Sequence, residues 1–138
     1  MHDEIGIRLS IISDTLSASH LDEYFEMKSD QSHVRGEMNN LGTKPYERHA
    51  WFLKSHYEVE KDEYIGNCIT TRLNIFLRRI SVITDKVRAL SKDHDVEVSL
   101  YILARDVPPL GLSSAQMSSI AALGAALDID VVLYNLER

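Results

Sequence analysis

Residues 110–134 constrain the fold more tightly than any other stretch of the chain. Ser113 can cap the first turn of a helix while Gln116, three residues on, reaches back as in a capping box. Leu123-Gly124 then closes that helix, with glycine where a left-handed C-terminal residue is wanted. Directly after the stop, Leu127, Ile129, Val131 and Leu133 alternate with Asp128, Asp130, Val132 and Tyr134. That two-residue period predicts a strand with one face in a core.

The same reasoning orders the rest of the chain. Ile5, Ile7, Leu9 and Ile11 alternate with Gly6, Arg8, Ser10 and Ile12, which predicts an opening strand placed centrally in a sheet. Asp14 to Ser17 supplies cap chemistry for a short helix whose apolar face is Leu16, Leu21, Tyr24 and Phe25. Val34 to Gly36 reads as a short strand, and Asn39 to Pro45 as a loop. From His49 to Val59 a further strand is predicted, with Trp51, Leu53, Tyr57 and Val59 toward the core.

Ile65, Ile69, Leu73, Phe76, Ile80, Ile83, Val87 and Leu90 recur at spacings of four and three, which predicts one long helix from Asp62 to Ser91. Its opposite side carries Arg72, Arg78, Arg79, Lys86 and Arg88 and reads as a solvated basic face. Val96, Val98, Leu100 and Ile102 give another strand, and Pro108-Pro109 an extended connection to the last helix.

The order strand, helix, strand, strand, helix, strand, helix, strand predicts a single α+β domain over residues 1–138. Its first six elements follow a ferredoxin-like, split βαβ sandwich, with a mainly antiparallel sheet of about five strands, one long helix and two short ones. The fifth strand can join either sheet edge.

A hydrophobic content of 44% and a charged content of 26% fit a globular chain and exclude a disordered one. The net charge of -6 opposes nucleic acid and anionic membranes as partners, since both demand a basic patch. No apolar run reaches the roughly eighteen residues that span a bilayer. The acidic start Met1-His2-Asp3-Glu4 is unlike a signal peptide, so a cytoplasmic location is expected. Cys68, the one cysteine, sits among Ile65, Ile69 and Leu73 and is expected to be a buried hydrophobe.

Chemistry-bearing constellations are sparse. Asp128 and Asp130 share a strand face about 7 Å apart, suited to paired carboxylates or to an outward polar face. The six histidines lack ligand spacing, and His49 and His56 point to opposite faces of one strand, so neither a metal nor a cofactor is expected. Nucleophile elbows and phosphate-binding glycine loops are missing. Arg35, Tyr46, Glu47 and Arg48, on a loop beside a rigid sheet, form with Asp128 and Asp130 the predicted binding surface. Ile12, Tyr101, Leu103 and Val132 predict an apolar patch on the outer sheet face and, through it or a free edge strand, a homodimer.

Taken together, the opening Ile-Gly-Ile-Arg-Leu-Ser-Ile-Ile-Ser, the Arg35-Gly36-Glu37 step, the Trp51 strand, the long helix and the closing Leu123-Gly124-Ala125-Ala126-Leu127-Asp128-Ile129-Asp130 resemble a bacterial family, the domain of unknown function 4279. The resemblance implies the same one-domain fold and brings no catalytic residue with it. The expected role is a non-enzymatic binding or protein-interaction domain with an unknown protein partner, in its most specific form an immunity-type protein that caps a basic toxin. The competing expectation is a metal-dependent or hydrolytic enzyme using Asp128 and Asp130 with a strand histidine.

Overall fold

The structure, a computed structural model, describes residues 1–134. Its elements run β1 (Glu4–Ser13), α1 (Ala18–Phe25), β2 (Gln31–His33), β3 (His49–Glu58), α2 (Ile65–Ile80), a 3-10 turn (Ser81–Ile83), α3 (Thr84–Leu90), β4 (Asp95–Ala104), α4 (Ser114–Ala122) and β5 (Ala126–Leu133). The strands form one sheet in the order β2-β3-β1-β4-β5. Each neighbouring pair is antiparallel except β4 and β5, which run parallel. The α+β class and the mainly antiparallel five-strand sheet are as expected, and β1 is central. The fifth strand lies beside β4, because a parallel partner needs a crossover and α4 supplies one.

The inward residues of β1, β3 and β4 meet the apolar stripes of the helices in one cluster built around Trp51, Leu53, Leu73, Phe76, Ile80, Val98 and Leu100. The expected stripe of the long helix is buried at Leu73, Phe76, Ile80 and Ile83. Phe25 from α1 packs on Trp51 with ring centroids 4.8 Å apart. The Trp51 indole N–H donates to Asp22 Oδ1 at 2.7 Å, which gives this buried ring's one polar group a partner. The capping box of α4 is present, with Ser113 Oγ accepting from Gln116 N–H and Gln116 Oε1 accepting from Ser113 N–H. Gly124 adopts φ 70 at the stop.

Four expectations change. The short strand is β2 at Gln31–His33, not Val34–Gly36, because residues 34–37 turn, with Gly36 at φ 90 and Glu37 N–H donating to Val34 O. The long helix begins at Ile65 and tightens into a 3-10 turn at Ser81–Ile83 before continuing to Leu90. Its basic face is not simply solvated: Arg72 stacks over the Tyr57 ring at 3.7 Å and Lys86 lies over the Tyr24 ring at 5.3 Å. Arg79 pairs with Asp30 at 3.1 Å.

The largest change is β5. Leu127, Ile129 and Val131 lie on the helix side, in register with Val98, Leu100 and Ile102, yet are 40%, 37% and 37% exposed. Sheet position explains this, since an edge strand beyond the helix layer has neighbours on one side only. No helix among the described residues is long and apolar enough to cross a membrane.

Candidate functional site

The helices cover one face of the sheet and leave the other open. Strand alternation decides what lines that open face. On β1 the inward set is Ile5, Ile7, Leu9 and Ile11, so Gly6, Arg8, Ser10 and Ile12 point outward. The registers then place side chains in rows across the strands. One row runs Lys54, Arg8, Ser99, Asp128; the next runs His56, Gly6, Tyr101, Asp130. A third runs Phe52, Ser10, Glu97, Ala126.

Two shallow grooves follow these rows. A groove of about 460 Å³ is lined by Arg8, Lys54, His56, Tyr101, Asp128 and Asp130. A second, of about 600 Å³, is lined by Arg8, Ser10, Phe52, His94, Asp95 and Glu97, so Arg8 stands at their junction. Gly6 leaves a notch beside it: a Cβ there would sit 3.7 Å from Tyr101 Cβ, in ordinary contact, so the ring rests against bare backbone.

The electrostatics are uneven. Arg8 lies 4.9 Å from the centroid of the Phe52 ring and takes part in none of the ion pairs among the described residues. Lys54 Nζ donates to Gln31 Oε1 at 2.8 Å. His56 Nε2 and Glu4 Oε1 are 2.7 Å apart. Ser99 Oγ donates to Glu97 Oε1 at 2.9 Å. Ser10 is only 4% exposed, and its hydroxyl has no partner among the described residues. Arg8 and Lys54 thus stand together on β1 and β3, with Glu4 and Glu58 two rows further along the same face, while Asp95, Glu97, Asp128 and Asp130 gather on β4 and β5.

The residues expected from sequence fall at two ends of this face. Tyr46, Glu47 and Arg48 line a third groove, about 340 Å³, with Ile12, His33 and Phe52. Tyr46 stacks on His33 with centroids 4.0 Å apart, and the loop covers Ala50 and Phe52, which alternation alone had left outside the core. Arg48 is engaged already: it bonds Asp95 and, at 2.8 Å, Asp14, and these hydrogen bonds, Asp95 first, push its pKa up. Arg35 Nη1 donates to the Asp14 carbonyl at 3.1 Å and anchors the loop. Asp128 and Asp130 line the groove at the opposite border. Between the two groups stand Arg8, Ser10 and Lys54, which the sequence reading had not singled out, together with His56 and with Tyr101 of the expected apolar patch.

Ile12 lies at one end of the open face, opposite Asp95 and Ala50, while Tyr101, Leu103 and Val132 gather toward the other. The expected apolar patch is therefore divided, with Arg8 and Ser10 between its parts.

Sequence reading also missed a polar cluster on the helix side. Tyr57 Oη donates to Glu63 Oε1, and Cys68 Sγ lies 3.5 Å from Glu63 Oε2. The phenol's hydrogen bond holds the Glu63 carboxyl below its ordinary range, and the same bond pushes the Tyr57 phenol up. Burial, ahead of the nearby Glu63, pushes the Cys68 thiol up, which keeps it protonated and a poor nucleophile.

No group of three or more His, Cys, Asp or Glu side chains among the described residues is arranged to hold a metal ion. His56 is three strands from Asp130, about 14 Å at ordinary strand spacing, so the two cannot share a cation. His49 Nδ1 accepts from the Arg35 N–H at 3.1 Å, on the face away from His56.

Against this geometry, the model of the family described as domain of unknown function (DUF4279) matches residues 3–134. The chain belongs to that family. Every open-face residue named above falls within the DUF4279 match. Neither a curated protein nor a solved structure matches the chain.

Proposed function

We propose that this DUF4279 domain is a non-enzymatic protein-interaction module that works through the open face of its sheet. The observation that supports this reading is the mixed charge of an uncovered face, with Arg8 and Lys54 side by side on one half and Asp95, Glu97, Asp128 and Asp130 on the other. A polyanion would meet repulsion over the acidic half, whereas a folded protein can present both signs in complementary places. Arg8 takes a carboxylate of the partner, since its guanidinium is in no ion pair among the described residues and presents a planar fork of donors. The immunity-type form, capping a basic toxin, draws support from the net charge of -6 and the acidic border of the face.

The test is capture of partners from the source cell with the wild-type chain, with Arg8→Glu on the open face and with Arg78→Glu on the helix side. A protein retained by wild type and Arg78→Glu but lost from Arg8→Glu is the expected outcome. Capture of no protein, or of one indifferent to Arg8→Glu, contradicts the reading. The immunity form further requires that the captured protein be basic and that its toxicity be suppressed on co-expression.

A further inference from the structure

The two edges of the sheet are built differently. At one border β2 has three residues and gives way to the loop that folds over Phe52. At the other, β5 runs for eight residues, and its outer edge is unpaired among the described residues. Leu127, Ile129 and Val131 are 40%, 37% and 37% exposed, whereas their β4 neighbours Val98, Leu100 and Ile102 are 0%, 1% and 0% exposed. The apolar layer between sheet and helices therefore continues onto a strand whose outer side has no strand beside it among the described residues. A long edge with half-exposed apolar side chains is a template for one more strand.

Charge selects the occupant. Asp128 and Asp130 alternate with those apolar residues on the open face, and neither takes part in an ion pair among the described residues. A second copy is poorly suited. A two-fold axis that continues the sheet pairs residues of like face, and the registers centred on Ile129 or Asp130 set Asp128 against Asp130, or Asp130 against itself. Like charges directly opposed destabilise a strand pair. A strand with lysine or arginine at alternate positions meets the opposite condition, with each cation about 5 Å from an aspartate.

We propose that the free edge of β5 receives an extended segment of a partner protein whose side chains alternate between apolar and basic. Its apolar residues extend the layer at Leu127, Ile129 and Val131, its basic residues lie beside Asp128 and Asp130, and main-chain hydrogen bonds to β5 supply the affinity. This deepens the protein-interaction reading at one border and rests on it only for the partner being a protein. Arg8 plays no part in it.

The probes are three short synthetic peptides: one alternating valine and lysine, one alternating valine and glutamate, and one alternating proline and lysine. The last keeps the charge but cannot sustain a strand ladder. Fluorescence anisotropy is expected to show the valine-lysine peptide binding about tenfold or more tightly than either of the others. Hydrogen exchange of β5 amides should slow only in its presence. Asp128→Lys with Asp130→Lys should reverse the preference in favour of the glutamate peptide, and Arg78→Glu on the helix side should leave it unchanged. Equal binding of the two lysine peptides would reduce the effect to charge attraction and overturn strand addition, as would no binding or unaltered exchange at β5. Partner capture that depends on Arg8 while the valine-lysine peptide fails to bind would remove the edge proposal alone; peptide binding without such capture would remove the open-face reading alone.

Discussion

The two faces of one sheet show how a single strand divides its work. On β1, Ile5, Ile7, Leu9 and Ile11 are 1%, 2%, 0% and 1% exposed against the helices, while Gly6, Arg8, Ser10 and Ile12 look out over the grooves. Burial of each inward side chain stabilises the fold by roughly 1.5 to 3 kcal/mol. An outward arginine contributes little to stability and is free to be chosen for what it meets. The difference teaches that the covered face sets whether the chain folds, and leaves the open face free for the interaction proposed above.

Substitutions can break or sharpen that division. The largest effect is expected at Phe76, 1% exposed at the centre of the covered side. Phe76→Ala should cost roughly 3 to 5 kcal/mol in denaturant melts. A loss below about 1 kcal/mol would show that this side is not the core.

A paired comparison follows on adjacent strands. Leu100 is 1% exposed and its β5 neighbour Ile129 is 37% exposed. Leu100→Ala should therefore cost about 2 to 5 kcal/mol, and Ile129→Ala clearly less, nearer 1 kcal/mol. Equal losses would mean that β5 is covered after all.

On the open face, Arg8→Glu should leave stability within about 0.5 kcal/mol of wild type. A loss of several kcal/mol would assign Arg8 a structural role and blur the division.

The smallest effect concerns pH. Because the Tyr57 hydrogen bond lowers the pKa of Glu63, its contribution is present above the ordinary carboxylate value and is lost as pH falls through the lowered one. Because the phenol's pKa is raised, the contribution is lost again only as pH climbs through that raised value. The stability difference between wild type and Tyr57→Phe should thus be constant near neutrality and shrink in acid. A difference that grows in acid would contradict the assignment.

Local pattern made the covered face legible. The strand periods, the Ser113 and Gln116 capping box, the Gly124 stop and the stripe through Leu73, Phe76 and Ile80 are short-range signals, and each has its counterpart in the structure. The open face was harder to read, because Arg8 acquires its neighbours Lys54 and Ser99 from strands 46 and 91 positions away. Only the register reveals that row. Alternation gave Leu127, Ile129 and Val131 the correct side but not their exposure, since period alone does not say whether a strand is interior or at an edge. Phe52 misled for the converse reason: a loop with no period of its own covers it.

The central claim is that recognition occupies the open face. Covalent footprinting of the chain, alone and with the partner it captures, tests this most directly. Tyr101 and Val132 on the open face are 40% and 39% exposed, and Ile75, Val82 and Met117 in the helix layer are 47%, 77% and 53% exposed, so both sides label in the free protein. In the complex, labelling of Tyr101 and Val132 should fall while that of Ile75, Val82 and Met117 persists; protection of the helix-layer residues with Tyr101 and Val132 still reactive would contradict the account.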